Sequence, residues 1–397
     1  VIAQPLVIEG RQAAVESARR LAPGIRARAN QAEAERRLPQ ASIDELLDSG
    51  LFGVLKPRKF GGLECGIESL VEITAELAAA CGSTGWVYGV LAGHSWLMNL
   101  FPEQAQQEVF ADPHALTATV FRFSGKLERV DGGFRLTNGT GRFCSGIDHA
   151  SWVIVGNAVV GEGVAPEPRF LVVPKKNVEV ADDWFTVGMR GTGSRTIKIA
   201  DAFIPEHRSV RIDALSAGTS PGATIHRAPL YRTPFQLVAP FSIVGVPLGI
   251  AHRALDVYAE GLDWIAGLGD GEQSTKSATL ARLAAAAAQI DAARALVLAD
   301  ARMIDTLMHP EALDPIEKAR LPRNWAHAAQ TTRDAVSLLF SASGGSAIYD
   351  DSEIQRLWRD INSAAQHYGF TWDNAMSDYG RVLIGLPPLH TIPGKRR

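Results

Sequence analysis

Apolar residues recur every three to four positions on both sides of a central stretch in which they recur every two. This change of period limits the possible folds more than any other feature. The central stretch carries "ALTATVF", "KLERV", "FRLTNG", "SWVIVGNAVV", "PRFLVVP" and "SRTIKIADAFIP", separated by turn dipeptides such as Asp131-Gly132. About a hundred residues of this pattern predict a small antiparallel barrel or sandwich. Before it, "AAVESARRLAPGIRARANQAEAERRL" favours helix by composition, and "IESLVEITAELAAAC" places Leu70, Ile73, Leu77 and Cys81 at helical spacing. "SIDELLDSG" reads as a helix opened by a Ser42/Glu45 capping box and closed at Gly50. "TGWVYGVLAGHSWLMNLF" is apolar all round, as in a helix buried in a core or between subunits. After the Gly/Ser/Pro-rich loop "ALSAGTSPGAT", helical signals return. "SATLARLAAAAAQIDAARALVLADARMIDTLM" reads as one long Ala-rich helix, and "SEIQRLWRDINSAAQHYGFTWDNAMSDYGRVL" continues the bundle. The expected chain is mainly α with a central β module: an N-terminal helical domain (1–112), a middle β domain (113–225) and a C-terminal helical bundle (226–397).

A length of 397 residues suggests several packed modules. The near-balance of 40 Lys+Arg against 43 Asp+Glu gives no electrostatic case for nucleic acid or an anionic membrane. Cys65, Cys81 and Cys144 show no CxxC spacing, which argues for a reducing compartment and against structural zinc. The first twenty residues hold no signal-peptide-like apolar stretch, and the greasiest segment, Leu237–Ala251, is interrupted by Pro240 and Pro247. A cytoplasmic protein without a membrane span is the expectation.

Chemistry concentrates in few places. "RLTNGTGRFCSGIDHASWVIVGN", Arg135 to Asn157, reads as two strands around a knot of thiol, hydroxyl, carboxylate and imidazole. Such a knot is either a polar turn or a pocket wall against a reactive ligand. "GMRGTGS" (Gly188–Ser194) is glycine-rich but leads into a strand, so it is neither a P-loop nor a dinucleotide fingerprint. No histidine pair has metal-ligand spacing, and His252 and His327 read as helix-face residues. Ser145 lacks the flanking pattern of a hydrolase nucleophile elbow. In "RDINSAAQHYG", Asp360, Ser363 and His367 fall near one helix face, which a solvated face explains as well as a functional one.

The order helices, β module, helices resembles the acyl-CoA dehydrogenase fold over nearly the whole chain. Phe143-Cys144-Ser145, Trp184–Pro205 and Phe340–Asp360 carry the resemblance. Within that superfamily, "FCSGIDHASWV" and "QRLWRDINSAAQH" resemble the two-component (group D) flavin-dependent monooxygenases, relatives of 4-hydroxyphenylacetate, steroid-phenol, dibenzothiophene and indole oxygenases. The resemblance implies FMNH2 or FADH2 supplied by a separate NAD(P)H-flavin reductase. With O2 as co-substrate, a C4a-hydroperoxyflavin would form and hydroxylate a small phenol- or indole-like aromatic. It implies Ser145 and His367 as catalytic residues, His367 as a neutral acceptor of the substrate's proton. Cofactor contacts would come from Phe143, Cys144, Ser145, Arg190, Thr192, Ser194, Ser343, Gly344 and Gly345, and no metal takes part. Trp86, Trp96, Thr119, Phe121 and Gly141 would line the substrate pocket, with Phe143 as a further apolar wall. Some phenol hydroxylases of this group place a histidine in the early β module. The corresponding position here is near Thr119, with only His114 close by, and Gly141 stands where many relatives have Trp, which implies a wider pocket.

A homotetramer is expected from the resemblance and from the apolar helix at 85–100 and the Ala-rich helix at 283–303. Two rivals remain at this level. One is an acyl-CoA dehydrogenase or nitroalkane oxidase-like flavoprotein using Asp350 or Asp351, in "YDDS", where the dehydrogenases carry Tyr-Glu-Gly-Thr. The other is a non-catalytic assembly protein on the same fold.

Overall fold

Six helices precede the first strand in the computed structural model, which describes residues 10–161, 164–263, 265, 273–309 and 313–389. They are α1 (Gly10–Ala27), α2 (Ala29–Glu35), α3 (Gln40–Asp48), α4 (Ile67–Ala80), α5 (Gly82–Met98) and α6 (Glu103–Phe110). The capping box does not form. Pro39 precedes the first turn of α3, which places Ser42 and Glu45 inside the helix. Both turn to Arg28, whose Nε donates to Ser42 Oγ at 2.9 Å and whose guanidinium pairs with Glu45. Gly50 does end this helix in the left-handed region, φ 71°. α5 is buried on nearly every side, including Val87, Tyr88, Leu91, Trp96 and Leu97. Each such side chain contributes roughly 1.5–3 kcal/mol on burial. Because α4, the sheet and the C-terminal helices cover it within one chain, its apolar surface does not argue for a subunit interface.

The β module forms one mixed eight-stranded sheet rather than an antiparallel barrel or sandwich. Its strands are β1 (Thr117–Val120), β2 (Lys126–Val130), β3 (Gly133–Cys144), β4 (Trp152–Gly161), β5 (Val164–Pro174), β6 (Glu179–Val180), β7 (Arg195–Pro205) and β8 (Ser209–Arg211). The order is β6-β7-β3-β2-β4-β5-β8. β1 and β2 both run parallel to β4, with Thr117 opposite Trp152 and Leu127 opposite Val159. Local alternation shows each strand but carries no information on which partner a crossover selects. The supposed loop after the sheet instead holds two short helices, α7 (Ile212–Ala217) and α8 (Pro221–Ile225).

The remaining helices are α9 (Phe235–Val238), α10 (Phe241–Glu260), α11 (Gln273–Asp305), α12 (Pro315–Ala342), α13 (Glu353–Ala364) and α14 (Trp372–Leu383). Phe235–Glu260 is long and apolar enough to cross a membrane by composition, yet 72% of its most apolar window is buried inside the protein, so it is a core element. α11 is one unbroken helix of 33 residues, as expected. Ala286, Ile290, Ala293 and Val297 face the core, while Ala285, Ala288, Ala292 and Ala299 stay exposed. The last bundle segment is not continuous. α13 ends at Ala364 and a 3-10 turn, Tyr368–Phe370, intervenes before α14. Asp360 and Ser363 therefore share a helix, but His367 lies beyond its end and caps the turn with its own side chain. All three cysteines are free thiols.

Candidate active site

The knot after β3 resolves into four different fates. β3 loses register with β7 between Gly141 and Cys144, and Phe143 takes a left-handed φ of 66°. This turn swings Ser145 against α5. Cys144 is fully buried and burial pushes its thiol up, so it is not a nucleophile at neutral pH. Asp148 accepts from Arg195 Nε at 3.2 Å and is used in structure, with Lys175 Nζ holding its carbonyl at 2.8 Å. His149 is half-buried, lowered in basicity by burial, and its Nε2 has no partner. Asp148 joins an ion-pair network through Arg195 and Asp182 to Arg36, whereas Ser145 enters a hydroxyl network that reaches α5 and α13.

That network is a chain of short bonds. Trp86 Nε1 on α5 donates to Ser145 Oγ at 3.1 Å, and Ser145 Oγ lies 2.7 Å from Ser194 Oγ. Ser194 Oγ is 2.7 Å from Thr192 Oγ1, which donates to the Met189 carbonyl at 2.9 Å. Met189 holds a φ of 55° and its N–H donates to Asp360 Oδ1 on α13 at 2.6 Å. The glycine-rich stretch is thus a 3-10 turn, Arg190–Thr192, between two left-handed residues. Gly188 is required by a close approach, since a Cβ there would lie 2.3 Å from the Arg359 carbonyl. Asp360 is buried, and desolvation raises its carboxyl to about 6. Sequence reading saw Asp360 as part of a stripe; its task is to tie the bundle to the Met189 turn.

His367 stands on the other side of Trp86, ring centroids 5.5 Å apart and nearly perpendicular. Its Nδ1 accepts the Gly369 N–H at 3.1 Å. Burial lowers the imidazole to about 4, so the ring is neutral and its hydrogen sits on Nε2. The ring therefore presents a donor, the reverse of the proton acceptor expected from the sequence.

The structure brings together Trp86, Ser145, Thr192, Ser194 and His367, and separates them from the other named residues. Phe143 is 64% exposed and meets Trp184 edge-on, so it does not wall an enclosed pocket. Arg190 is exposed and binds the Thr186 carbonyl at 2.7 Å. Ser343 closes α12, donating to the Leu339 carbonyl at 2.8 Å, and Gly344 and Gly345 have open space where a Cβ would stand. Gly141 does not widen the pocket, because Val120 and Phe123 fill the place of its missing side chain, at 2.6 and 2.7 Å from a built Cβ. Asp350 and Asp351 are exposed on the turn before α13, and among the described residues no hydrogen bond joins their carboxylates to the Ser145 network.

One functional group was missed. His94 lies two helical turns beyond Trp86 on α5 and is 7% exposed. Its Nδ1 is 3.1 Å from the Thr117 carbonyl, which can only accept, so Nδ1 carries the hydrogen. Burial lowers this ring also to about 4. Its Nε2 is then a bare lone pair with no partner among the described residues, in a narrow cavity shared with Trp96, Phe121, Phe235 and Ser242. Phe121 lies edge-on to the ring at 6.0 Å, and Trp96 stacks on Phe235. Thr119, two residues along β1 from Thr117, is buried with its hydroxyl unpaired, whereas His114 is exposed. The signal was present: His94 is the one imidazole in an otherwise apolar helix, on the face that Trp86 begins.

These residues suit a flavin. Ser145 offers an open hydrogen-bonding position beside aromatic Trp86, as the polar edge of a flavin ring requires. Among the described residues no cluster suits a metal.

The models for the acyl-CoA dehydrogenase N-terminal and C-terminal domains match residues 9–115 and 241–372. The chain is 36% identical to a pigment production hydroxylase of a Rhodococcus strain, over 92% of this chain and 95% of that one. It is 32% identical to the oxygenase component of the FADH2-dependent resorcinol hydroxylase of a Rhizobium strain, over 92% of each. The crystal structure of the HsaA monooxygenase from Mycobacterium tuberculosis superposes with a TM-score of 0.89 at 32% identity, covering 96% of this chain and 99% of that one. With the Ser145–Trp86–His367 cluster on this frame, the chain belongs to the acyl-CoA dehydrogenase superfamily, as the oxygenase component of a two-component flavin-dependent monooxygenase that uses reduced flavin and O2.

Proposed function

We propose that this oxygenase hydroxylates the ring of a small phenol-like aromatic that reaches His94 between α5, Phe121 and α9, where the cavity, about 10 Å³, holds one water until Phe121 and Phe235 turn aside. The observation that carries this reading is the open Nε2 lone pair of a neutral, buried His94. An apolar, ring-lined cavity selects an aromatic, and a lone acceptor inside it selects one with an O–H. A hydrogen bond from that O–H to Nε2 pushes electron density into the ring, which favours attack by an electrophilic oxygen. Thr119 Oγ1 is buried and unpaired among the described residues but does not line this cavity.

Bound reduced flavin supplies the activation of O2 and the oxygen atom to be transferred. Ser145 and Trp86 would hold its ring edge, and His367, whose Nε2 carries the hydrogen, would donate to a group bound beside Trp86. The buried walls of α5 and α10 exclude water from that space. No dinucleotide fingerprint is needed, since a separate reductase delivers the flavin. The resorcinol hydroxylase component, named for a phenol and for FADH2, supports the same reading. We place the enzyme in the cytoplasm as a homotetramer, for which the exposed alanine face of α11 and the exposed Ile348 and Tyr349 provide surface.

The test is reconstitution with an NAD(P)H-flavin reductase and a panel of phenols, indoles and fused heteroaromatics. Hydroxylated product from phenols, with O2 consumption matched to product, is the expected outcome. Product from indoles alone, or hydrogen peroxide alone with every substrate, would overturn it.

A further inference from the structure

We infer that Ser242 is a second hydrogen-bond acceptor in the cavity of His94, so that the site selects an aromatic ring with two hydrogen-donating substituents, a benzenediol or an aminophenol. The inference rests on the proposal that a phenol O–H meets His94 Nε2, and adds a second demand made by the same cavity.

The chain passes from α9 into α10 through Ala239 and Pro240, and Ser242 lies in the first turn of α10. Its Oγ–H donates back to the Ala239 carbonyl at 2.7 Å. The same carbonyl takes the Ser242 N–H at 3.2 Å, one bond for each of its two lone pairs. The single hydroxyl hydrogen is thereby spent, and Oγ has only lone pairs left to offer. Among the described residues no donor reaches them. Ser242 is 9% exposed and lines the cavity beside Gly93 and His94. Gly93 brings the two acceptors together, since a Cβ built there lies 2.8 Å from Ser242 Cβ and 3.6 Å from Ser242 Oγ. A side chain at position 93 would push α10 off α5 one residue before His94.

The protein supplies no donor of its own to this space. The remaining wall is apolar, and the one N–H among its ring residues, Trp96 Nε1, is turned to the Leu230 carbonyl at 3.4 Å. One water answers both acceptors by giving a hydrogen to each. A monophenol that displaces this water brings one hydrogen and strands one acceptor, which costs about tenfold or more in affinity. A second O–H or N–H on the ring supplies the missing hydrogen. Ser242 meets that second substituent and not the reacting carbon, so it governs binding. The electron release of the same substituent governs rate, and the two effects separate into KM and kcat.

The experiment is steady-state kinetics of the full-length protein with an added NAD(P)H-flavin reductase, by product formed. The substrates are phenol, the isomeric benzenediols and aminophenols, and the monomethyl ether of each benzenediol. In wild type the best two-donor ring should have a KM at least about tenfold below that of phenol and of its own monomethyl ether. Phenol is the smaller molecule, so size does not explain such an order. In Ser242→Ala the KM of the two-donor ring should rise by about tenfold. The KM of phenol should fall by about threefold, because no second acceptor is left stranded. If the variant does not fold, the wild-type order decides alone. Equal KM values for one and two donors in wild type, or KM values that move together in Ser242→Ala, would show that Ser242 only closes the first turn of α10, and the inference is wrong. Phenols hydroxylated without this preference overturn the role of Ser242 alone. If no phenol of either kind is hydroxylated, the proposed recognition by His94 falls and this inference with it.

Discussion

His94, two turns beyond Trp86 on α5, and His367, edge-on to Trp86, share the same depressed basicity, about 4, and have opposite hydrogen placement. A backbone carbonyl, Thr117, takes the Nδ1 hydrogen of His94 and leaves Nε2 open as an acceptor. A backbone N–H, from Gly369, takes the Nδ1 lone pair of His367 and leaves Nε2 as a donor. Burial keeps both rings neutral at working pH; the main chain decides what each offers. Two like residues thus give a site that can accept from the substrate at one end and donate at the other, without any charged group inside it.

The comparison breaks most visibly at His94. His94→Ala removes the acceptor, and product formation should fall 10²- to 10⁴-fold, a barrier increase of roughly 3–5 kcal/mol. Reduced-flavin binding should be unchanged within about threefold in an anaerobic titration, because no bond joins His94 to the Ser145 chain. His367→Ala removes a single donor, worth about 0.5–1.5 kcal/mol. It should lower the ratio of product to peroxide by roughly 3- to 10-fold, and His367→Gln, which keeps an N–H, should recover part of that ratio. Asp350→Asn and Asp351→Asn should leave product and peroxide yields at wild-type values, since both carboxylates are exposed on the turn before α13.

Acid sharpens the comparison. Both histidines bind a proton more readily unfolded, near 6.5, than folded, near 4. Their contribution to stability is therefore present above the unfolded value and is lost as pH falls from about 6.5 through about 4. Asp360, raised from 3.8 to about 6 when folded, works in the opposite direction, its contribution falling as pH rises through the same window. Asp360→Asn deletes that opposing slope. Its urea midpoint should drop more steeply than that of wild type between pH 6 and pH 4, and an identical or shallower slope would contradict the assigned directions. At the Met189 turn, Gly188→Ala forces a Cβ onto the Arg359 carbonyl and should cost about 1–3 kcal/mol by chemical denaturation.

Much of the frame was readable because it rests on periodicity. β1 to β5 and β7 each overlap a segment read as strand, though β5 starts four residues ahead of its segment, and α11 follows its alanine-rich pattern without a break. Pairing was not readable: nothing local in β1 shows that it runs parallel to β4. The end of α13 was missed because Ala365 and Gln366 favour helix as well as Ala364 does, and a side chain capping its own turn leaves only a faint trace in sequence. Ser42 shows the opposite error, a capping pattern displaced by a guanidinium fourteen residues away.

In the site, Ser145 was legible through resemblance, and Thr192 and Ser194 with it. Their joining to the bundle needed the Met189 turn and its bond to Asp360, which no motif encodes. His94 was passed over because an imidazole in an apolar helix usually belongs to the core. Its proposed role comes from Thr117, distant in sequence, and from a cavity closed by residues of α4, α5, α9 and α10 and by Phe121 just after β1.

The central claim is that His94 Nε2 recognises the hydroxyl hydrogen of the substrate. It is tested most directly by comparing the best phenol found in the panel with its O-methyl ether, in wild type and in His94→Ala, by product formed per reduced flavin consumed. In wild type the phenol should be preferred by 10² or more, because the ether has no hydrogen to give and leaves the buried acceptor unpaired. In His94→Ala that preference should collapse to within about threefold, the scale of a minor polar contact. A phenol preference that survives intact in His94→Ala would show that another group reads the hydroxyl, and would contradict the assignment of this cavity.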